Sequence, residues 1–175
     1  MNNTNNDSEK IAYINGLLDA VGTLNSIHNH DLDFGFVALS GNESREDSLK
    51  NYLETPNWTF GFQKMDDWKA TVTEDTLWDF ILVIMQINGG LYPLEVGEEK
   101  FKKQAQDHNL LALHKKVFDS IDAFLSSKGT VSAYQIEIKM PLIPDNTGYF
   151  AHAENNYLFE TGSGERFFFY VRVSN

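Results

Sequence analysis

Apolar positions recur along this chain with two different periods, and the changes from one to the other set out an order of elements. Ile11, Ile14, Leu17, Leu18 and Val21 share one face of a helix that Ser8 caps and Gly22 ends, after a polar, Asn-rich tail at residues 1–7 expected to be disordered. Leu32–Leu39 alternates, with Leu32, Phe34, Phe36 and Ala38 on one side of a strand. A polar loop from Ser40 to Ser48 leads into a short helix ending near Leu53, with Ser44 as its cap and Pro56 forbidding continuation. Trp58–Gln63 and Trp68–Thr73 read as the arms of a hairpin turning near Met65-Asp66-Asp67.

The stretch Leu77–Ile87 is apolar on nearly every side, which predicts a buried central helix over about 74–88. Thr73, Glu74 and Asp75 supply a cap and negative charge at its start, and Asn88-Gly89-Gly90 supplies the stop. Phe80–Ile84 would also suit a strand, but the length of the run favours a helix. It is too short to cross a bilayer, and Asp79 interrupts it. A charged helix follows over about 98–107. Asn109–Ser127 is a stronger one, with Leu110, Leu113, Val117, Phe118, Ile121, Phe124 and Leu125 at helical spacing and Gly129 as its stop.

The last third changes to period two. Tyr134, Ile136, Ile138 and Met140 face one way, opposite Gln135, Glu137 and Lys139, until Pro141 and Pro144 break the strand. Tyr149–Ala153 and Asn156–Glu160 are weaker strands. The turn Thr161-Gly-Ser-Gly-Glu165 leads into Arg166–Val173, with Phe167, Phe169, Val171 and Val173 on one face. Consecutive strands without helices between them predict an α+β fold, a mainly antiparallel sheet with helices packed on it. Residues 8–175 read as a single domain, with no internal repeat and no Pro- or Ser-rich linker.

Composition narrows the chemistry. The 175 residues contain no cysteine, which removes disulfides, thiolate nucleophiles and cysteine-based metal sites together and fits a reducing compartment. No basic-then-apolar leader opens the sequence, so the cytoplasm is the expected location. Lys and Arg total 14 against 25 for Asp and Glu, a net charge of −11 at pH 7. Such a field repels nucleic acid and anionic membranes and draws in basic partners.

Candidate catalytic motifs fail one by one. His28-Asn-His30-Asp31 is the densest set of potential metal ligands and resembles the His-x-His-x-Asp-His signature of metallo-β-lactamase-like hydrolases, but Leu32 and Asp33 stand where Asp and His are required. A polar loop explains it more simply, and no metal or cofactor is expected. His108, His114 and His152 have no useful spacing. Glu137-Ile-Lys139 matches half of a metal-dependent nuclease site without its acidic partner, as expected of the wet face of a strand. His152-Ala-Glu154 lacks the Pro-Cys-x-x-Cys that deaminases need, and no Gly-x-Ser-x-Gly elbow or phosphate-binding loop occurs. Enzymatic activity is therefore not the leading expectation.

What remains is surface chemistry. Arg166, Phe168, Tyr170 and Arg172 share the face of the last strand opposite its core side, with burial favoured for Phe168. Tyr170 and Arg172 are of the types that dominate binding hot spots. Glu43, Glu46 and Asp47, with Glu95, Glu98 and Glu99, are the candidates for meeting a basic partner. The sequence thus points to a non-catalytic acidic protein-binding module, an immunity-type inhibitor of the bacterial kind that neutralises a basic toxin such as a nuclease. The helix ending at Asn88-Gly89-Gly90 loosely resembles one bacterial immunity superfamily, whose acidic first helix and Leu-Pro are lacking here. The alternative is a small ligand-binding protein or enzyme with a pocket between the aromatic-rich sheet and the central helix, lined by Trp58, Trp68 and Trp78.

Overall fold

A computed structural model of the chain describes residues 3–25, 31–40, 42–72, 108–139 and 151–174. The central helix over about 74–88, the charged helix over about 98–107, the acidic residues Glu95, Glu98 and Glu99, and His28 and His30 lie outside the described residues.

The apolar stripe of the first helix does what its spacing dictates. In α1 (Asn3–Asn25), Ile14, Leu18 and Val21 are buried, with Ile11 and Leu17 packed against the same cluster. Its ends differ from the sequence reading. The helix begins at Asn3 rather than at a Ser8 cap, so residues 3–7 of the expected tail are helical, and Lys128 Nζ anchors that turn at 2.5 Å from Asp7 Oδ2. It also runs past Gly22, because a glycine in a helix interior costs only about 1 kcal/mol relative to alanine.

Among the described residues the further elements are β1 (Asp31–Leu39), α2 (Arg45–Leu53), β2 (Thr59–Met65), a helical stretch over 68–72, α3 (His108–Ser126), β3 (Val131–Lys139), β4 (Ala151–Thr161) and β5 (Arg166–Ser174). The five strands among the described residues form one sheet in the order β1-β5-β4-β3-β2, and every adjacent pair is antiparallel. The fold is α+β with an antiparallel sheet, as the strand-rich last third implies. The two weak strands expected after residue 149 form one strand, β4, whose register shifts between Ala151 and Ala153.

A further sequence expectation is overturned. Trp68–Thr73 is not the second arm of a hairpin, since residues 68–72 are helical. Asp67 starts that helix: its Oδ1 accepts from the Ala70 N–H at 3.3 Å, and its carbonyl accepts from the Thr71 N–H at 3.3 Å and from Thr71 Oγ1 at 3.0 Å. Trp68 and Val72, four residues apart, both turn to the core, Trp68 with its ring 5.0 Å from that of Phe159. β2 pairs instead with β3, from Thr59 opposite Lys139 to Met65 opposite Ala133.

Alternation along the strands gives the sheet two apolar faces. α1 and α3 cover one, where Phe36, Tyr157, Phe159, Phe167, Phe169 and Val171 meet Val117, Phe118, Ile121, Phe124 and Leu125. α2 covers part of the other, where Leu49 is buried with Phe60, Ile136, Leu158 and Phe168. A lysine fastens the first layer. Lys128, just past α3, pairs with Asp7 of α1 and Glu165 of the β4–β5 turn, and its ammonium lies 5.6 Å from the Phe124 ring. Burial alone would lower the Lys128 pKa, but bonds to Asp7 and Glu165 outweigh it and raise it above 10.5.

Candidate surface around helix α2

Helix α2 is short, and its ends are built from side chains. Ser44 Oγ accepts from the Asp47 N–H at 3.1 Å and donates to Asp47 Oδ2 at 2.6 Å, which satisfies one of the orphan donors of the first turn. Glu46 and Asp47 place negative charge where the helix dipole favours it. At the other end Glu54 adopts a left-handed conformation, φ 54° and ψ 36°, and its N–H bonds to the Lys50 carbonyl.

Two arginines hold the helix to the sheet. Arg45, in its first turn, bonds to Glu160 Oε2 and donates to the Tyr134 hydroxyl at 2.7 Å, with its guanidinium 4.1 Å from the Tyr134 ring centre. Arg166 Nε donates to Glu160 Oε1 at 2.9 Å, and its Nη1 bonds to the Glu43 carbonyl and to Ser48 Oγ. Burial pushes the Glu160 carboxyl up, but hydrogen bonds and charge from both arginines outweigh that and hold its pKa below the usual 4.5. The same bond to Glu160 raises the Arg45 pKa despite burial. The network seats α2 on the sheet and pairs both cations with Glu160, the Arg166 side chain largely buried and the Arg45 side chain 36% exposed.

The outward side of α2 is acidic. Glu43, Asp47 and Glu54 are exposed. Glu46 pairs with Lys50 at 2.8 Å one turn on, and Glu43 Oε2 accepts from Asn51 Nδ2 at 2.7 Å. Asp47, Lys50, Asn51, Glu54 and Pro56 line a shallow depression of about 510 Å³ along this side.

At the last turn of α2 the surface becomes aromatic. Tyr52 is 39% exposed, its ring edge-on to buried Phe168 at 5.8 Å and its hydroxyl 3.4 Å from that of Tyr170. Tyr170 lies flat over Gly35 of the neighbouring strand, so that a Cβ at Gly35 would come within 2.5 Å of the Tyr170 hydroxyl. The Arg172 guanidinium stacks 4.8 Å from the Tyr170 ring centre, with Nη2 3.4 Å from Asn156 Oδ1.

Of the partner-binding candidates singled out in the sequence, the described ones fall at the two ends of one element, while Glu95, Glu98 and Glu99 lie outside the described residues. Glu43, Glu46 and Asp47 gather at the start of α2, and Tyr170 with Arg172 lies beyond its end. Tyr52 joins them. The signal for it was its place next to Leu53 and three residues after Leu49, on the flank of a helix whose apolar face those two leucines define. Asp31 opens β1 opposite Ser174, and among the described residues no cluster of three or more His, Cys, Asp or Glu side chains is placed to hold a metal. Glu137 and Lys139 pair with each other at 3.2 Å on β3, both largely exposed.

A second concavity, of about 600 Å³, lies along β2 and β3, lined by Gly61, Phe62, Gln63, Gln135, Ile136, Glu137, Ile138 and Asn156. Neither described tryptophan lines it: Trp58 packs on the α2 side of the sheet and Trp68 on the other, while Trp78 lies outside the described residues. No helix among the described residues is long and apolar enough to cross a membrane. Comparison with protein-family models, with curated proteins and with solved structures finds no match for this chain.

Proposed function

We propose that this protein is a non-catalytic acidic binding module, an immunity-type inhibitor that neutralises a basic toxin such as a nuclease by electrostatic docking. The observation that carries the reading is the polarity of α2: Glu43, Asp47 and Glu54 are exposed, while Arg45 and Arg166 are paired with Glu160 and Lys50 is held by Glu46. With a net charge of −11, this side meets a cationic cleft with a favourable field and speeds encounter. Exposed Tyr52, backed by Tyr170, supplies the aromatic contact that long-range attraction alone does not.

The test is capture of a partner from lysate at low and high salt, followed by binding kinetics. One basic partner should be retained at low salt and lost at high salt. Asp47→Lys with Glu54→Lys should slow association by roughly tenfold at low salt, with a smaller effect at high salt. Failure to retain any partner, or indifference to salt, would overturn the reading. The β2–β3 concavity supports a second reading, a small ligand-binding protein, in which a metabolite library would raise the melting temperature and no macromolecule would be captured.

A further inference from the structure

An oxidant that reaches a protein spends itself first on thiols where there are any, and this chain has no cysteine. Its seven tyrosines then matter, because a phenol can give up one electron and its hydroxyl proton to become a phenoxyl radical. Two such radicals join through the ring carbons next to the oxygen-bearing ones. A pair of tyrosines is therefore set up for coupling when the hydroxyl ends of the two rings meet.

Tyr52 and Tyr170 meet in that way. Their hydroxyls are 3.4 Å apart, their ring centres 6.5 Å apart, and the ring planes are tilted by 45°. One ring is held in place. Tyr170 lies over Gly35, with the Arg172 guanidinium 4.8 Å from its centre and the Phe168 ring at 5.1 Å. The other ring is the one that moves. Tyr52 stands in the last turn of α2, exposed enough to meet an oxidant, and exposed side chains change rotamer in picoseconds to nanoseconds. A short swing of Tyr52 brings the coupling carbons together while α2 stays seated.

We infer that Tyr52 and Tyr170 form an oxidative cross-linking site, at which a one-electron oxidant of the peroxidase class joins the two rings as dityrosine and bonds α2 covalently to β5. Each phenol loses one electron and its hydroxyl proton, and the two radicals form a carbon–carbon bond between their ortho positions. Each of these carbons then passes its hydrogen to the oxygen of its own ring, which restores both phenols. The net loss is two hydrogen atoms, which one hydrogen peroxide takes up to leave as two waters. Proximity decides where the bond forms. Within one chain the rings hold a high effective concentration for each other, whereas coupling between chains needs two bodies of charge −11 to meet. Among the described residues Tyr13 is the tyrosine most open to an oxidant, 51% exposed, but it lies beside Lys116. Tyr134 lies under the Arg45 guanidinium, and Tyr157 is 0% exposed. The site does not depend on the basic-partner reading, and the two stand or fall separately.

The test treats the dilute full chain with peroxidase and limiting hydrogen peroxide, and follows dityrosine fluorescence, intact mass and the peptides released by trypsin. The product should be a single chain lighter by two hydrogen atoms, with one linked peptide pair that carries Tyr52 and Tyr170. Tyr52→Phe and Tyr170→Phe keep the rings but have no phenol to oxidise, and each should lower the yield of that product at least roughly tenfold. Tyr13→Phe should leave it unchanged. Unfolding the chain in urea before treatment should abolish the selective link, since the sheet and α2 bring together residues far apart in sequence. Absence of dityrosine overturns the inference, as does a product made mainly of chains joined to one another or linked through other tyrosines. A yield that survives either Phe variant at position 52 or 170, or survives urea, overturns it as well.

Discussion

Two residues carry backbone or packing constraints that a sequence pattern alone does not show. Glu54 holds φ 54° without being a glycine, a conformation that costs an L-residue roughly 1–2 kcal/mol. Glu54→Gly should therefore raise stability by about 0.5–1 kcal/mol, after the extra freedom of glycine in the unfolded chain is subtracted, read as a higher urea midpoint at unchanged slope. The same change removes an exposed carboxylate, so binding to a basic partner should weaken as stability rises. Gly35 is the reverse case. Its backbone is ordinary, but the Tyr170 ring occupies the space of a side chain. Gly35→Ala must push that ring off the strand, at a cost of about 1–3 kcal/mol, and should alter the near-ultraviolet circular dichroism of the tyrosines.

At the scale of elements, α2 is held by one carboxylate between two guanidinium groups, and that makes its docking pH-dependent. The pKa of Glu160 is depressed in the folded state, so its contribution is complete above the unfolded value of 4.5 and is lost as pH falls through the lower, folded value. Glu160→Gln should lower stability at neutral pH and flatten the loss below pH 4.5, seen as urea midpoints that vary less with pH in that range. An unchanged acid slope would show that other carboxylates, such as Glu165 bound to Lys128 or Asp122 bound to Lys69, dominate it. The ends of α2 were legible because Ser44 and Pro56 act within a few residues of themselves. The stripes of α1 and α3 were legible for a similar reason, since a 3.6-residue period is local information. The misread hairpin shows the limit: a strand is defined by its partner, and β2 finds its partner in β3, far along the chain. Nothing near Trp68 marks that absence, whereas the cap at Asp67 is a local feature that could have been weighed. The surface around Tyr52 was only half legible, because Gly35, Tyr52 and Tyr170 meet through the strand order.

Across the whole molecule, charge and topology act on different terms. Salt should weaken capture of a basic partner by screening the field of the −11 charge, and should leave the strand pairing unchanged. The strand order has a consequence of its own. β1 and β2 are made early but occupy opposite borders of the sheet, and the strands that join them, β3, β4 and β5, are made last. On the ribosome, therefore, β2 can pair once β3 has emerged, whereas β1 has no ladder to enter until β5 has emerged. The apolar run Phe34–Leu39 of β1 must therefore wait for a strand that begins more than 120 residues later, an interval in which chaperone holding matters.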